Sequence, residues 1–174
     1  MKGHAATIIV PNAVPGFLLW MPDANEIINY TRAGKNADRL IDEATVIFCL
    51  DFNDISRIRE FETHYSHSKA FKVLIDHHPD PAAFADITIS DTSVSSTCEL
   101  LYRFLPELGL EKLFDREAAS CIFAGIMTDT GCFSFNSSRP ETFKIVADLL
   151  SYGFDKDAVF DKVYNNFSYS RMKL

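Results

Sequence analysis

The feature that most constrains this chain is residues 73–79 (VLIDHHP), a short apolar run that ends in an acid and two histidines. The apolar half is typical of a buried β-strand. In an open α/β sheet, ligands bind in the crevice beyond the carboxyl ends of the strands, which is where Asp76, His77 and His78 would lie. Packing three polar groups there is costly unless a partner such as a metal ion satisfies them. The simpler interpretation is a strand whose polar end turns into a loop.

Two further acids occupy comparable places. Asp51 follows the apolar run 45–50, and Asp129 closely follows the apolar, alanine-rich segment 115–127. We expect Asp51, His77 and Asp129 to meet at one edge of the sheet. Carboxylates with an imidazole suit manganese, magnesium or iron, whereas a structural zinc site would need thiolates or more imidazoles. Each acid also has a plainer interpretation, since Asp51 could start a turn and Asp129 could cap the next element.

Strand-like apolar segments alternate with helical segments along the chain. This alternation predicts one α/β domain with a mostly parallel sheet flanked by helices on both faces. The run 45–50 is nearly continuous in apolar residues, which predicts a strand covered on both faces. Expected strands are residues 6–10, 45–50, 71–75, 87–90 and 132–135, and expected helices are residues 33–43, 55–67, 95–105, 115–127, 140–150 and 155–165.

Capping patterns support two of these helices. Ser96 and Glu99 have the spacing of a capping box, in which each side chain bonds the backbone of the other residue. Asp115 has the position of an N-cap for the alanine-rich helix. The two helices are therefore predicted to begin at Ser96 and Asp115, and the segment 106–114 connects them.

Composition limits the partners. The net charge of −7 argues against a broad surface for long duplex nucleic acid. It is compatible with a small phosphorylated substrate, because cations held by acids turn a negative site into one that accepts phosphate. No apolar run is long enough to span a bilayer, and the N-terminus has no secretory signal pattern. Four cysteines without a Cys-x-x-Cys pair indicate reduced thiols and a cytoplasmic location.

Three segments resemble successive motifs of the DHH phosphoesterase superfamily. They are residues 49–51 (CLD) with Arg57, residues 75–79 (IDHHP) and residues 125–133 (GIMTDTGCF). The resemblance covers nearly the whole chain in order and spacing. The chain is most similar to the bacterial branch of oligoribonucleases and adenosine bisphosphate phosphatases, whose members are often called exopolyphosphatase-related.

The resemblance implies a set of metal ligands. Asp51 is expected to bridge two manganese ions, and His77 and Asp129 are each expected to ligate one of them, with magnesium as the alternative metal. Asp76 is expected to orient His77 through a hydrogen bond, as metal-bound histidines usually require. A bridging carboxylate with ligands on either side is how two-metal hydrolases hold ions about 3.5–4 Å apart.

The resemblance also implies a reaction and a substrate class. His78 is expected to contact the scissile phosphate or assist the leaving group, and Arg139 is a weaker candidate for phosphate contact. The implied substrates are short oligoribonucleotides or 3′-phosphoadenosine 5′-phosphate, hydrolysed by a metal-activated water, and a homodimer is compatible with the resemblance. The alternatives are a cyclic-dinucleotide or polyphosphate hydrolase, or a non-catalytic remnant that binds nucleotides.

The chain departs from the family pattern at both ends. Family members carry an earlier motif, His-x-Asn-Pro-Asp-x-Asp, which supplies one histidine and two aspartates to the metals, and residues 21–24 (MPDA) resemble it only superficially. We also expect the family's C-terminal substrate domain, with its glycine-rich nucleotide-binding loop, to be absent from these residues. We therefore expect residues 1–174 to be a partial catalytic domain with impaired activity on its own.

Overall fold

The computed structural model of the protein describes residues 5–165, except for the side chains of residues 59 and 60. Within this range the strands form two parallel sheets. The smaller sheet pairs β1 (Ile9–Val10) with β2 (Ile28–Asn29), and the larger has the order β3 (Val46–Leu50), β4 (Phe71–Asp76), β5 (Ile87–Ser90).

Helices fill most of the remaining chain. The α-helices are α1 (Tyr30–Ala33), α2 (Lys35–Glu43), α3 (Glu62–His67), α4 (Thr97–Phe104), α5 (Arg116–Asp129), α6 (Pro140–Ser151) and α7 (Lys156–Phe160). Short 3-10 helices cover Gly16–Leu18, Ala24–Glu26, Ile55–Phe61 and Glu111–Leu113, and a π-helical turn covers Asp161–Asn165. None of the helices in residues 5–165 is long and apolar enough to cross a membrane. The predicted α/β class with parallel strands is confirmed.

Both faces of the larger sheet carry helices. Alternate residues of each strand point to opposite faces, so each strand contributes to two layers of packing. Cys49 and its β4 partner Leu74 lie in one apolar core with residues of α2 and α3. On the opposite face, Ile75 packs with Val94 and with Leu100 of α4. The end of β4, which carries Asp76, is therefore fixed between two packed layers.

One face of β3 contradicts the expectation that this strand is covered on both sides. Val46, Phe48 and Leu50 are exposed, Phe48 to 61%. Phe71 of β4 and Ile87 of β5 extend this exposed apolar surface. The prediction was wrong because β3 lies at an edge of the three-stranded sheet, whereas α4 packs over β4.

A separate core joins the helices of the C-terminal half. Phe123 and Met127 of α5, Leu149 of α6 and Val159 of α7 are buried together. Helix α4 lies close to α5 at Gly125, where an added Cβ would stand 2.1 Å from the sulfur of a cysteine in α4. The glycine therefore permits a close helix–helix approach.

Both predicted helix starts are present. The Ser96 hydroxyl accepts a hydrogen bond from the backbone N–H of Glu99 at 3.0 Å, and the Asp115 carboxylate accepts one from Ala118 at 2.9 Å. The return bond of the capping box differs by one residue, since the Glu99 carboxylate accepts from the N–H of Ser95 at 3.1 Å.

The predicted strand at residues 132–135 is wrong, and a turn takes its place. Gly131, Cys132 and Phe133 have φ angles of 53°, 55° and 63°, a left-handed backbone that cannot continue as a strand. The carbonyl oxygen of Thr130 accepts hydrogen bonds from the N–H groups of both Ser134 and the following phenylalanine. The chain therefore turns tightly just after Asp129 instead of extending away from it.

Candidate metal centre

Asp51, His77 and Asp129 come together at the carboxyl edge of the larger sheet. The His77 Nε2 atom lies 3.1 Å from Asp129 Oδ2 and 3.7 Å from Asp51 Oδ1. The imidazole is mostly buried, whereas both carboxylates are partly exposed. One ring nitrogen thus faces two acids from separate elements, which is the convergence expected from the sequence.

The parallel register of β3 and β4 explains half of this convergence. Leu50 pairs with Ile75, and the Asp51 N–H donates to the Ile75 carbonyl at 3.1 Å, so Asp51 and His77 leave adjacent strands at nearly the same level. Asp129 reaches the same place from a different direction, as the last residue of α5.

Asp51 itself is held in an uncommon conformation. Its φ angle is 67°, in the left-handed region that non-glycine residues adopt only rarely. The hydroxyl of Thr97, at the start of α4, donates a 2.8 Å hydrogen bond to Asp51 Oδ1. Backbone strain at a functional position is common where the surrounding structure enforces it.

The electrostatics of the cluster disfavour negative charge in the absence of a cation. Burial raises the pKa of Asp129, and the nearby Asp51 charge raises it further, against an opposing effect of His77. Two carboxylates that face one imidazole form a pocket of concentrated negative potential. A cation at this position would relieve the repulsion.

The role expected for Asp76 is corrected by the structure. Asp76 does not orient His77 but pairs with His78, whose Nδ1 lies 2.7 Å from Asp76 Oδ1. Side chains two residues apart in an extended chain lie on the same side, so Asp76 reaches His78 and not the intervening His77. This hydrogen bond is the main cause that raises the pKa of His78.

The residues present fit a divalent cation. Donor atoms of Asp51, His77 and His78 all lie within 4.8 Å of one another, and Asp129 adds a carboxylate beside His77. Among the described residues, the second oxygen of the fully buried Asp76 has no hydrogen-bond partner, so the Asp-His-His segment contains an unsatisfied buried acceptor. Carboxylate and imidazole donors suit magnesium, manganese and iron.

Arg139 lies at the N-cap of α6 and binds a loop. Its Nη1 atom donates to the Ser93 carbonyl at 2.6 Å and lies 2.5 Å from the Ser93 hydroxyl, and its Nε lies 3.7 Å from Glu141. The guanidinium thus anchors the loop that follows β5. A contact of Arg139 with phosphate stays a prediction.

A second carboxylate, that of Glu99 in the first turn of α4, has hydrogen-bond partners very different from those of Asp51. Glu99 is completely buried, and its Oε2 accepts hydrogen bonds from the N–H and hydroxyl of Ser95 and from the Thr142 hydroxyl, at 2.6–3.1 Å. Arg103 Nη2 lies 2.8 Å from Oε1 as an ion pair, without the alignment of a hydrogen bond. This carboxylate is already neutralised by the protein.

Sequence reasoning missed Thr97 as a contact of the site. Residues 95–97 were interpreted as a helix cap, and Ser96 does fill that role. The available signal was that one hydroxyl caps the helix, which leaves the next one free for another partner. Nothing local to positions 97 and 51 indicates that they are in contact, because they are 46 residues apart.

Comparison with known families decides the assignment. Residues 3–126 match the N-terminal domain of the DHH family. The chain belongs to the DHH family. The match includes Asp51 and the Asp76-His77-His78 motif for which the family is named, so the resemblance read from the motifs is confirmed, and Asp129 lies three residues beyond the matched range.

Three similar proteins show which members of the DHH family this chain resembles. A Bacteroides fragilis structure described as an exopolyphosphatase-related protein superposes with a TM-score of 0.92 at 47% identity, over 95% of this chain and 48% of that one. The Bacillus subtilis bifunctional oligoribonuclease and PAP phosphatase NrnA is 36% identical over 123 residues, which cover 70% of this chain and 38% of that protein. An uncharacterized Mycoplasma genitalium protein is 34% identical over 142 residues, 82% of this chain and 42% of its own length. The chain spans less than half the length of each.

Proposed function

We propose that this DHH chain carries part of the active site of a metal-dependent phosphoesterase that hydrolyses short oligoribonucleotides, 3′-phosphoadenosine 5′-phosphate, or both. The observation that carries the proposal is the position of His77 Nε2 between the carboxylates of Asp51 and Asp129. The substrate class rests on the names of relatives such as the Bacillus subtilis protein, described as an oligoribonuclease and PAP phosphatase.

Asp51, His77 and Asp129 would hold manganese, with magnesium as the alternative, and Asp51 would bridge two ions. These oxygen and nitrogen donors match the preferences of both metals. When bound, such ions polarise a phosphoryl oxygen and lower the pKa of a water molecule so that it can act as the nucleophile. The protein's own contribution is to place its donors before the substrate arrives, which avoids reorganisation during the reaction.

His78 would act on the leaving group. Its Nδ1 is bonded to Asp76, so the other ring nitrogen is the one available to a phosphoryl or leaving oxygen. As water attacks phosphorus and the bond to the leaving oxygen breaks, a protonated His78 would transfer its proton to that oxygen. The buried Asp76 carboxylate favours the protonated ring and fixes its orientation.

The test is hydrolysis with manganese by the chain joined to the segments of the Bacteroides fragilis protein that lie outside the match. We expect release of mononucleotides from a short oligoribonucleotide or of phosphate from 3′-phosphoadenosine 5′-phosphate. Asp51→Ala and Asp129→Ala should abolish product release, since losing an ion removes several kcal/mol of charge stabilisation and each ~1.4 kcal/mol is a factor of ten in rate.

A matched control is Asp42→Ala, which removes an exposed carboxylate beside His64, a histidine outside the centre. This variant should keep full activity. A joined protein that binds nucleotide but releases no product with manganese would show a binding module instead of an enzyme.

A further inference from the structure

We propose that Thr97 is a positioning residue for Asp51, holding its carboxylate in the orientation that ligates the metal. The proposal rests on the proposed function, in which Asp51 is a metal ligand. Thr97 is not expected to touch the ion or the substrate. Its effect would pass through Asp51 Oδ1, to which the Thr97 hydroxyl donates a hydrogen bond of 2.8 Å.

The Asp51 side chain has little else to fix it. It is 53% exposed, and the same oxygen that accepts from Thr97 lies 3.7 Å from His77 Nε2, too long for a hydrogen bond. A half-exposed carboxylate on a left-handed backbone would otherwise rotate among its staggered conformers. The Thr97 hydroxyl selects one of these conformers before any ion binds.

Thr97 is itself rigidly placed. It is only 4% exposed and is the first residue of α4, directly after the N-cap Ser96. Two residues later, Glu99 is buried and fixes the same helix turn to Ser95 and Thr142. A hydroxyl on a helix start that is anchored in this way can hold a carboxylate with little loss of its own freedom.

The same helix connects Asp51 with the opposite ligand. The sulfur of Cys98, next to Thr97, lies so close to Gly125 that a Cβ at position 125 would stand 2.1 Å from it, and α5 ends at Asp129. The Thr97 hydrogen bond therefore ties Asp51 to the helix pair that carries Asp129. The Asp51 backbone is held by its hydrogen bond to Ile75, and the Thr97 bond adds its carboxylate to the same frame.

The experiment measures manganese affinity of the 174-residue chain by titration calorimetry for the wild type, Thr97→Val and Thr97→Ser. Valine keeps the shape but removes the donor, whereas serine keeps the donor. We expect Thr97→Val to weaken binding by about tenfold or more, the usual loss when a residue that orients a metal ligand is removed. Thr97→Ser should keep the affinity within about threefold of the wild type, because the serine hydroxyl can still donate the hydrogen bond to Asp51.

Ser68→Ala is the control. Ser68 is also buried, and its hydroxyl donates to the Ile41 carbonyl at 3.0 Å, outside the metal centre and outside the α4 network. Its loss should lower the melting temperature, as in Thr97→Val, and leave manganese affinity unchanged. Equal affinity losses in Ser68→Ala and Thr97→Val would mean a general loss of packing and overturn the proposal.

The outcomes separate this inference from the function on which it rests. Wild-type affinity in Thr97→Val overturns the role of Thr97 alone. A wild-type chain that binds no manganese overturns the proposed metal site and the role of Thr97 with it. An affinity loss that serine restores and Ser68→Ala does not reproduce supports both.

Discussion

Two carboxylate clusters meet the first turn of α4, and they differ in how completely the protein neutralises them. Glu99 is fully buried and surrounded by donors from Ser95 and Thr142, with Arg103 beside it. Asp51 and Asp129 are 53% and 36% exposed and face a single imidazole nitrogen. A carboxylate that the protein pairs with a cation and with hydroxyl donors stabilises the fold, whereas acids that face only one imidazole mark a place for a ligand.

The largest expected effect comes from the Glu99 cluster. Glu99→Ala leaves the hydroxyls of Ser95 and Thr142 without their acceptor and removes the nearer of the two acids beside Arg103, so we expect a loss of about 3–5 kcal/mol in the free energy of unfolding. Urea denaturation followed by circular dichroism measures it. The control is Glu141→Ala, which removes an exposed acid 3.7 Å from Arg139 and should cost less than about 1 kcal/mol. Equal losses for the two variants would contradict the assignment of Glu99 as the structural carboxylate.

A smaller effect tests the helix contact that both clusters share. Gly125→Ala places a methyl group 2.1 Å from the Cys98 sulfur, and the forced separation of α4 from α5 should cost about 1–3 kcal/mol. Thermal unfolding of Gly125→Ala beside Gly16→Ala checks this. No atom lies within 4 Å of the Cβ position at Gly16 except those of its chain neighbours, so its substitution should be nearly neutral. A melting temperature of Gly125→Ala equal to that of the wild type would show that the two helices are not in tight contact.

The smallest effect has the opposite sign. Because burial and Asp51 raise the pKa of Asp129, its ionised form is disfavoured in the folded protein, and this cost is present at neutral pH and disappears as the pH falls below the raised pKa. Asp129→Asn should therefore raise stability in metal-free buffer, by less than about 1 kcal/mol, because solvent screens this partly exposed carboxylate and the contact with His77 is lost. Chemical denaturation at pH 7 and at pH 4 should show the gain only at pH 7. A stability loss at pH 7 would place Asp129 with Glu99 among the structural acids.

Much of the fold and part of the site could be predicted from local sequence patterns. Apolar runs that end in polar residues indicated β3 and β4, and parallel strands bring such ends together, so the convergence of Asp51 with His77 followed. The alanine-rich helix and its Asp115 cap could be predicted equally well, because caps and periodicity are local properties of the sequence.

Other features depend on tertiary structure and give weaker signals in the sequence. The exposed face of β3 has the same apolar composition as a buried one, so the sequence does not show which face a helix covers. The turn after Asp129 uses left-handed residues such as Cys132 and Phe133, whose types favour strands. The bond between Thr97 and Asp51 joins residues far apart in the chain. The pairing of Asp76 with His78 could have been found from the alternation of side chains in an extended segment.

The most direct test of the metal centre is calorimetric titration of the 174-residue chain with manganese. The chain should bind one ion weakly through the predicted ligands Asp51, His77 and Asp129, and His77→Ala should abolish binding. His64→Ala is the matched control, because His64 also lies beside two carboxylates, at 3.4 and 3.5 Å, on the exposed surface. Undiminished binding in His77→Ala, or its loss in His64→Ala instead, would contradict the account.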